Sequence, residues 1–232
     1  MLAVEGLSFR YPDGRQALEE IAFRLEAGEK VGLLGPNGAG KSTLTLCLNG
    51  VLRSSGSIQL GGLRLDKSTL PQFRAKLGLV FQDPDDQLFC PTVAEDVGFA
   101  ARCQQLSSAD VAERVRQALE AVGLTGYAER IPQHLSGGEK KRAALATVLA
   151  TQPEFLIIDE PSAGLDPRSR RQLIQLLQQL PVGMLIASHD LGLIEDVCPR
   201  ALVLDQGKLV GDLDWADLRE DGEFLRRHGL LA

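Results

Sequence analysis

Gly35-Pro36-Asn37-Gly38-Ala39-Gly40-Lys41-Ser42 fits the pattern G-x-x-x-x-G-K-[ST]. Its glycines let the backbone turn N–H groups inward around phosphate oxygens, and a helix starting at once adds the positive end of its dipole. Lys41 supplies charge for the β- and γ-phosphates, and the Ser42 hydroxyl is the hard oxygen ligand that Mg²⁺ takes. Thr43, next in line, joins the nucleotide set. Further on, Leu156-Ile157-Ile158-Asp159-Glu160 is an apolar run ending in two carboxylates. Beside a phosphate loop, Asp159 is expected to hold Mg²⁺ through its water shell, and Glu160 to take a proton from an attacking water. Strand alternation would send the two side chains to opposite faces, so they need not share a role. These two motifs together describe a nucleotide hydrolase or a kinase.

A third motif is harder to place. Leu135-Ser136-Gly137-Gly138-Glu139 sets a hydroxyl and two glycines at a helix start, which makes a second anion cradle in a chain that already has one. Taken alone it reads equally well as a helix cap. His189 gains interest only from its position after the apolar run Met184–Ser188, whereas His134 and His228 read as surface residues.

The elements that must position these groups can be read from periodicity. Leu2–Phe9 and Gln16–Leu25 alternate apolar and polar residues around the turn Pro12-Asp13-Gly14, which predicts antiparallel strands. Lys30–Leu34 is a short apolar strand leading into the glycine-rich loop, followed by a helix over Lys41–Leu48 that stops at Asn49-Gly50. Ser57–Leu60 and Leu63–Leu65 form a hairpin across Gly61-Gly62, and Leu77–Phe81 is a buried strand. From about Thr92 to Ala150 the texture is helical. Ser107 caps a helix whose apolar face is Val111, Val115, Ala118, Leu119 and Val122, and Gly123 ends it. Strand texture returns at Phe155–Ile158, Met184–Ser188 and Ala201–Leu204, with a helix opened by Asp166-Pro167 and striped by Leu173, Ile174, Leu177 and Leu180. The expected fold class is α/β: mostly parallel strands with helices around a phosphate loop, an N-terminal antiparallel β part and a helical insert. One domain is expected over residues 1–232, with a core lobe in 1–82 and 152–232 and a helical lobe in 83–151.

Composition narrows the functions. The 232 residues are 44% hydrophobic and 24% charged, with 25 basic against 31 acidic residues and a net charge of −6. That balance disfavours a chain that coats nucleic acid, which needs a basic face. No apolar run approaches the roughly 20 residues of a membrane-spanning helix, and the N-terminus lacks an export signal. Cys47, Cys90, Cys103 and Cys198 are scattered, so buried free thiols in a cytosolic chain are expected.

Taken together and in this order, the motifs resemble the ATP-binding cassette (ABC) transporter ATPase family over nearly the whole chain. The resemblance implies ATP and Mg²⁺ as cofactors, with Ser42, Gln82 and Asp159 around the metal. It implies that Tyr11 stacks on adenine, that Gln82 senses Mg²⁺ and a transmembrane partner, and that His189 joins Glu160 and Gln82 at the γ-phosphate. Ser162-Ala163-Gly164-Leu165-Asp166 resembles the loop that crosses a dimer interface. In that family two cassettes pack head to tail, and Leu135–Glu139 of one close over the ATP of the other, which explains the second cradle. A second ATP-binding subunit, identical or different, is thus implied, with a transmembrane scaffold and a substrate-binding membrane subunit at the cytoplasmic face of the membrane.

Within the family, the stretch after Gln82 is similar to the energy-coupling-factor importers. It reads Asp83-Pro84-Asp85-Asp86-Gln87-Leu88-Phe89, and Glu139-Lys140-Lys141-Arg142 after the signature glycines fits the same group. Asp83, Asp85 and Asp86 beside Leu88 and Phe89 would make a socket for a cationic amphipathic helix of the scaffold, with a solvated helix cap as the plainer reading. Only Gly211–Ala232 follow Val210, so no separate regulatory domain is expected; the short form resembles the cobalt/nickel-type and biotin-type subunits, the former favoured. Two other classes compete. Ribosome-associated ABC proteins usually carry two cassettes and DNA-repair types long coiled coils, neither present here; a P-loop kinase or GTPase would lack the signature.

Overall fold

Alternating burial builds the N-terminal strands β1 (Leu2–Arg10) and β2 (Gln16–Leu25), which pair antiparallel from Leu2 opposite Leu25 to Arg10 opposite Gln16. The structure, a computed structural model, describes residues 1–231. After β3 (Lys30–Leu34) come helix α1 (Lys41–Leu48), β4 (Ser55–Leu60), β5 (Leu63–Arg64), α2 (Leu70–Lys76) and β6 (Leu77–Val80). Three longer helices follow: α3 (Val93–Cys103), α4 (Ser108–Ala121) and α5 (Gly137–Leu149). The chain then alternates β7 (Phe155–Asp159), α6 (Pro167–Gln179), β8 (Gly183–Ala187), α7 (Leu191–Val197) and β9 (Arg200–Asp205), and closes with β10 (Lys208–Asp214), α8 (Trp215–Glu220) and α9 (Gly222–Arg227).

The strands form a four-stranded sheet in the order β2-β1-β4-β5 and a six-stranded sheet in the order β10-β9-β3-β8-β7-β6. Five strands of the larger sheet run parallel, and only the edge strand β10 is antiparallel. Because side chains alternate along a strand, this sheet feeds two cores. Phe155, Ile157, Leu185 and Leu202 join α1, α2 and the small antiparallel sheet, whereas Leu156, Ile158, Ile186 and Val203 face the helical side. A strand buried on both faces reads as a continuous apolar run, as Phe155–Ile158 does.

Helix starts follow the expected chemistry. The Ser107 hydroxyl accepts from the Asp110 N–H at 3.1 Å, and Asp166 accepts from the Arg168 and Ser169 N–H groups at 2.9 and 3.1 Å. Ser136 and Glu139 form a reciprocal capping box. Several expectations need correction. Helix α2 was not anticipated, because Phe73 is its one buried residue and a single apolar position has no period. Helix α7 was missed too, being seven residues long. At the C-terminal side β10 ends at Asp214, which occupies the cap position of α8 without a side-chain cap bond. Cys47 and Cys198 are buried, but Cys103 is exposed. His228 is no surface residue: its Nδ1 lies 2.9 Å from Asp205 Oδ2 and its ring packs against Phe224. Ala232, the end of the expected core lobe, lies outside the described residues.

Candidate functional site

The phosphate loop runs from the end of β3 into α1, and its glycines are dictated by space. A Cβ on Gly35 would fall 2.2 Å from the Leu204 carbonyl oxygen, and one on Gly40, at φ 109°, would fall 2.8 Å from that of Ala17. Only glycine fits such backbone contacts. Lys41 is buried, and its Nζ donates to the carbonyls of Gly35 at 2.7 Å and Pro36 at 3.3 Å. Burial lowers its pKa, opposed by the charges of Glu160 and Asp159. Around the loop opens a cleft of about 560 Å³. Pro36, Asn37, Gly38, Gly40, Lys41, Ser42 and Thr43 line it together with Tyr11, Gln82, Glu160 and His189. Ala39 is buried behind them. The Tyr11 hydroxyl lies 2.9 Å from Thr43 Oγ1, Phe9 meets the ring edge-on and the Arg15 guanidinium lies over it. Arg15, Gln16, Ala17, Gln206 and Gly207 also line the cleft and escaped the sequence reading, since they lie around the start of β2 and in the turn between β9 and β10, which only the fold brings to the loop.

The two carboxylates are both buried but separate in geometry. Asp159 ends β7, and Glu160 has already left the strand, with φ 44° in the left-handed region. Strand alternation is therefore not what divides them, which corrects the expectation above. Glu160 Oε2 lies 2.8 Å from His189 Nδ1 and accepts from the Ser188 hydroxyl at 3.2 Å, while Oε1 is 3.9 Å from Lys41 Nζ. His189 is 63% exposed, so it can swing toward a ligand in the cleft. Asp159 Oδ1 is buried without a hydrogen-bond partner. Burial pushes its carboxyl pKa up, with Ser42 hydrogen bonding pulling it down. A bare buried acceptor costs about 1–3 kcal/mol. A hard cation held by Asp159 and the adjacent Ser42 would remove that cost, so these residues fit Mg²⁺.

The remaining motifs surround this centre. Gln82 lies in both the nucleotide cleft and the adjoining one, which also holds Ser42, Asp159, Lys141 and Gly164. Ser162 donates to Asp190 at 3.0 Å, and Arg170 on α6 grips the same carboxylate at 2.7 and 2.8 Å, holding it ionised with a pKa of about 2. The sequence reading missed this tie between Ser162 and the residue after His189, although Asp190 lay in plain view beside it. Leu165 is half-buried, Gly164 is exposed and Asp166 is occupied in capping α6.

Ser136–Glu139 line neither cleft, so the chain does not bring its own signature to its own phosphate loop. Ser136 and Gly137 are exposed, whereas Leu135 is a core residue and contributes no surface, a correction to its place among the binding residues. The Ser136 hydroxyl donates to Glu139 at 2.7 Å and Tyr127 donates to it at 2.8 Å, which with the Ser136 N–H hold the carboxyl pKa at about 2.

The acidic segment differs most from expectation. Asp83 caps its own short turn by accepting from the Asp85 N–H at 2.9 Å, and Asp85 is paired with Lys140 at 2.7 Å. Leu88 is 3% exposed and belongs to the helical core, so it cannot pack under a partner. Phe89 is 62% exposed and meets the half-exposed Phe99 edge-on at 5.2 Å. The surface that survives is Asp86 with Phe89 and Phe99.

Comparison with known proteins places the arrangement. Residues 18–163 match the family model described as ABC transporter. The energy-coupling factor transporter ATP-binding protein EcfA from Methanothermobacter thermautotrophicus is 45% identical over 99% of this chain and 76% of its own length. A solved structure of cbiO1 from Clostridium perfringens, part of the ABC transporter complex cbiONQ, is 36% identical with a TM-score of 0.86, covering 99% of this chain and 94% of that one. A dimeric ATP-binding cassette in a post-hydrolysis state bound to ADP and Pi is 25% identical with a TM-score of 0.82, covering 93% and 99%. Among the described residues no helix is long and apolar enough to cross a membrane.

Proposed function

The chain belongs to the ABC transporter ATPase family, and from that premise we propose that it is the ATP-hydrolysing motor of an energy-coupling-factor importer. The observation that carries the reading is one cleft lined by the phosphate loop, Tyr11, Gln82, Glu160 and His189, with the signature displayed elsewhere on the surface. Such a chain needs a second cassette to cover its nucleotide. In this reading Tyr11 takes the adenine, and the loop from Gly35 to Thr43 holds the phosphates. Ser42, Asp159 and Gln82 hold Mg²⁺, which when bound neutralises developing phosphate charge. Glu160 accepts the proton of the attacking water, and His189 leaves Glu160 for the γ-phosphate. Residues 83–151 form the lobe that carries the signature, and Ser162, Gly164, Leu165 and Asp166 form the loop facing the second cassette.

The membrane partners are a scaffold and a substrate-binding subunit, which hold the motor at the cytoplasmic face. The cargo is cobalt or nickel, an assignment supported by the likeness to cbiO1. The test is co-purification of the membrane subunits, followed by ATP-driven uptake in vesicles. Cobalt or nickel uptake is expected; uptake of biotin alone overturns the cargo, and absence of any membrane partner overturns the importer. Hydrolysis itself is expected to require Mg²⁺ or Mn²⁺ and to stop with a chelator, while Asp159→Asn raises the Mg²⁺ concentration for half-maximal rate about tenfold or more. A rate indifferent to chelation excludes the metal role.

Asp86 and Phe89 supply the scaffold contact in this reading, the aromatic as anchor and the carboxylate for orientation. Losing a buried aromatic anchor costs about 2 kcal/mol or more at an interface, and a rim charge about 0–1 kcal/mol. Asp86→Lys with Phe89→Ser is therefore expected to weaken pull-down of the scaffold more than about tenfold, yet to leave the ATPase rate of the free dimer unchanged. Undiminished assembly and uptake would return the segment to a solvated helix cap.

A further inference from the structure

Lys141 is a buried cation whose two hydrogen bonds go to main-chain oxygens, not to a carboxylate. It lies on α5, is 8% exposed, and donates from Nζ to the Gln82 carbonyl at 2.6 Å and to the Glu160 carbonyl at 3.1 Å. A buried ammonium loses its hydration, and an apolar side chain of the same length would fill this space without that penalty. Packing alone therefore does not account for the charge. Both carbonyls belong to residues that line the nucleotide cleft.

We propose that Lys141 is a positioning residue that clamps the main chain at Gln82 to the main chain at Glu160 and so holds the Glu160 carboxylate in place. The inference rests on Glu160 acting as the proton acceptor, as in the reading above. Glu160 needs holding. Its φ of 44° is one that L-residues avoid, and such a conformation persists only where the surroundings over-determine it. Its N–H donates to the Ala187 carbonyl at 2.8 Å, and its own carbonyl accepts from the Ala163 N–H at 3.2 Å and from Lys141. Without the ammonium the peptide after Glu160 is tied only within its own turn. The clamp also has a lever. Lys141 lies five residues after Ser136 on the helix that Ser136 caps, about 7.5 Å along the axis. A pull on the signature when it takes up a partner's nucleotide is thereby felt at Gln82 and Glu160, on the core side of the molecule.

The test compares Lys141→Met, an unbranched apolar side chain that fills most of the space but donates nothing, with Lys141→Arg, which keeps donors and charge. Lys141→Met is expected to bind ATP with an affinity within about threefold of the parent and to melt as a folded protein, while kcat falls about 10–10²-fold, the scale set by displacing a catalytic group by about 1 Å. Lys141→Arg is expected to recover most of that loss. If Lys141→Met does not fold, Lys141→Gln, polar but one bond shorter than lysine and unable to span both carbonyls, is expected to lose kcat about tenfold at unchanged KM. Parent kcat in a folded Met or Gln variant overturns the clamp, as does a loss shared between kcat and ATP affinity that Arg fails to restore. Glu160→Gln measured alongside separates the two failures. If it is inactive and Lys141→Met is fast, only the clamp falls; if it remains active, the assignment of Glu160 falls first.

Discussion

Glu160→Gln is expected to lower ATP turnover by a factor of about 10²–10⁴ while leaving nucleotide binding intact. The change conserves volume and leaves an oxygen for the Ser188 hydroxyl and the His189 N–H, which approach Oε2 at 3.2 and 3.4 Å. What disappears is the negative charge 3.9 Å from Lys41 Nζ and, among the described residues, the one buried carboxylate lining the cleft. Asp159 cannot substitute, because it ends β7 and lines the adjoining cleft with Ser42. A loss of that size corresponds to about 3–5 kcal/mol of transition-state stabilisation. With hydrolysis slowed and binding kept, the nucleotide-sandwiched dimer becomes long-lived, so ATP should convert the variant from monomer to dimer in size-exclusion chromatography. Phosphate release near the parent rate would remove Glu160 as the base.

The same pair of carboxylates shows what a sequence can and cannot say. That Asp159 and Glu160 sit at the end of a core strand is legible, because a run buried on both faces has few readings. Their division of labour is not. It comes from a left-handed residue just past the strand, and no pattern in the sequence marks that conformation. The phosphate loop is legible for a stricter reason: at Gly35 and Gly40 the backbone passes so close to Leu204 and Ala17 that no other residue fits. Family resemblance brought Tyr11, Gln82 and His189 into one set, and the fold places them around one cleft.

Polar residues on helices and just past the short Pro84–Asp86 turn were the least legible. Lys141, Arg170 and Gln87 look like solvated positions in a charged or amidic run. Yet Gln87 accepts from the Phe81 N–H at 3.1 Å and donates to Ala144 and Thr147 of α5, tying the segment after Gln82 to that helix. Such contacts depend on how helices lie across strand ends, which periodicity does not report. Leu88 and Phe89 make the same point at the surface. The two are adjacent and both apolar, but the short turn over Pro84–Asp86 sends one into the core and the other outward.

Ser136 and Lys41 are expected to fail in different ways, and the contrast tests whether the site is completed by a second chain. Lys41→Ala removes the buried ammonium that now rests on the Gly35 and Pro36 carbonyls, so the chain's own affinity for ATP should fall roughly 10–100-fold, the worth of one charged hydrogen-bonding group. Ser136→Arg touches nothing in that cleft, which the signature does not line. It costs about 1 kcal/mol as a lost helix cap, too little to unfold a domain. ATP affinity of the monomer should therefore hold, measured by fluorescent-nucleotide titration. Hydrolysis should fall by about 10²-fold or more, because a donor set aimed at the partner's phosphates is blocked. Mixing the two variants sharpens the result. In a mixed dimer, Lys41 of the Ser136→Arg chain faces Ser136 of the Lys41→Ala chain, so one intact composite site is rebuilt. The mixture should hydrolyse ATP faster than either variant alone. A Ser136→Arg chain that loses monomer binding as severely as Lys41→Ala, or a mixture with no gain, would place the signature in its own chain's site and end the head-to-tail reading.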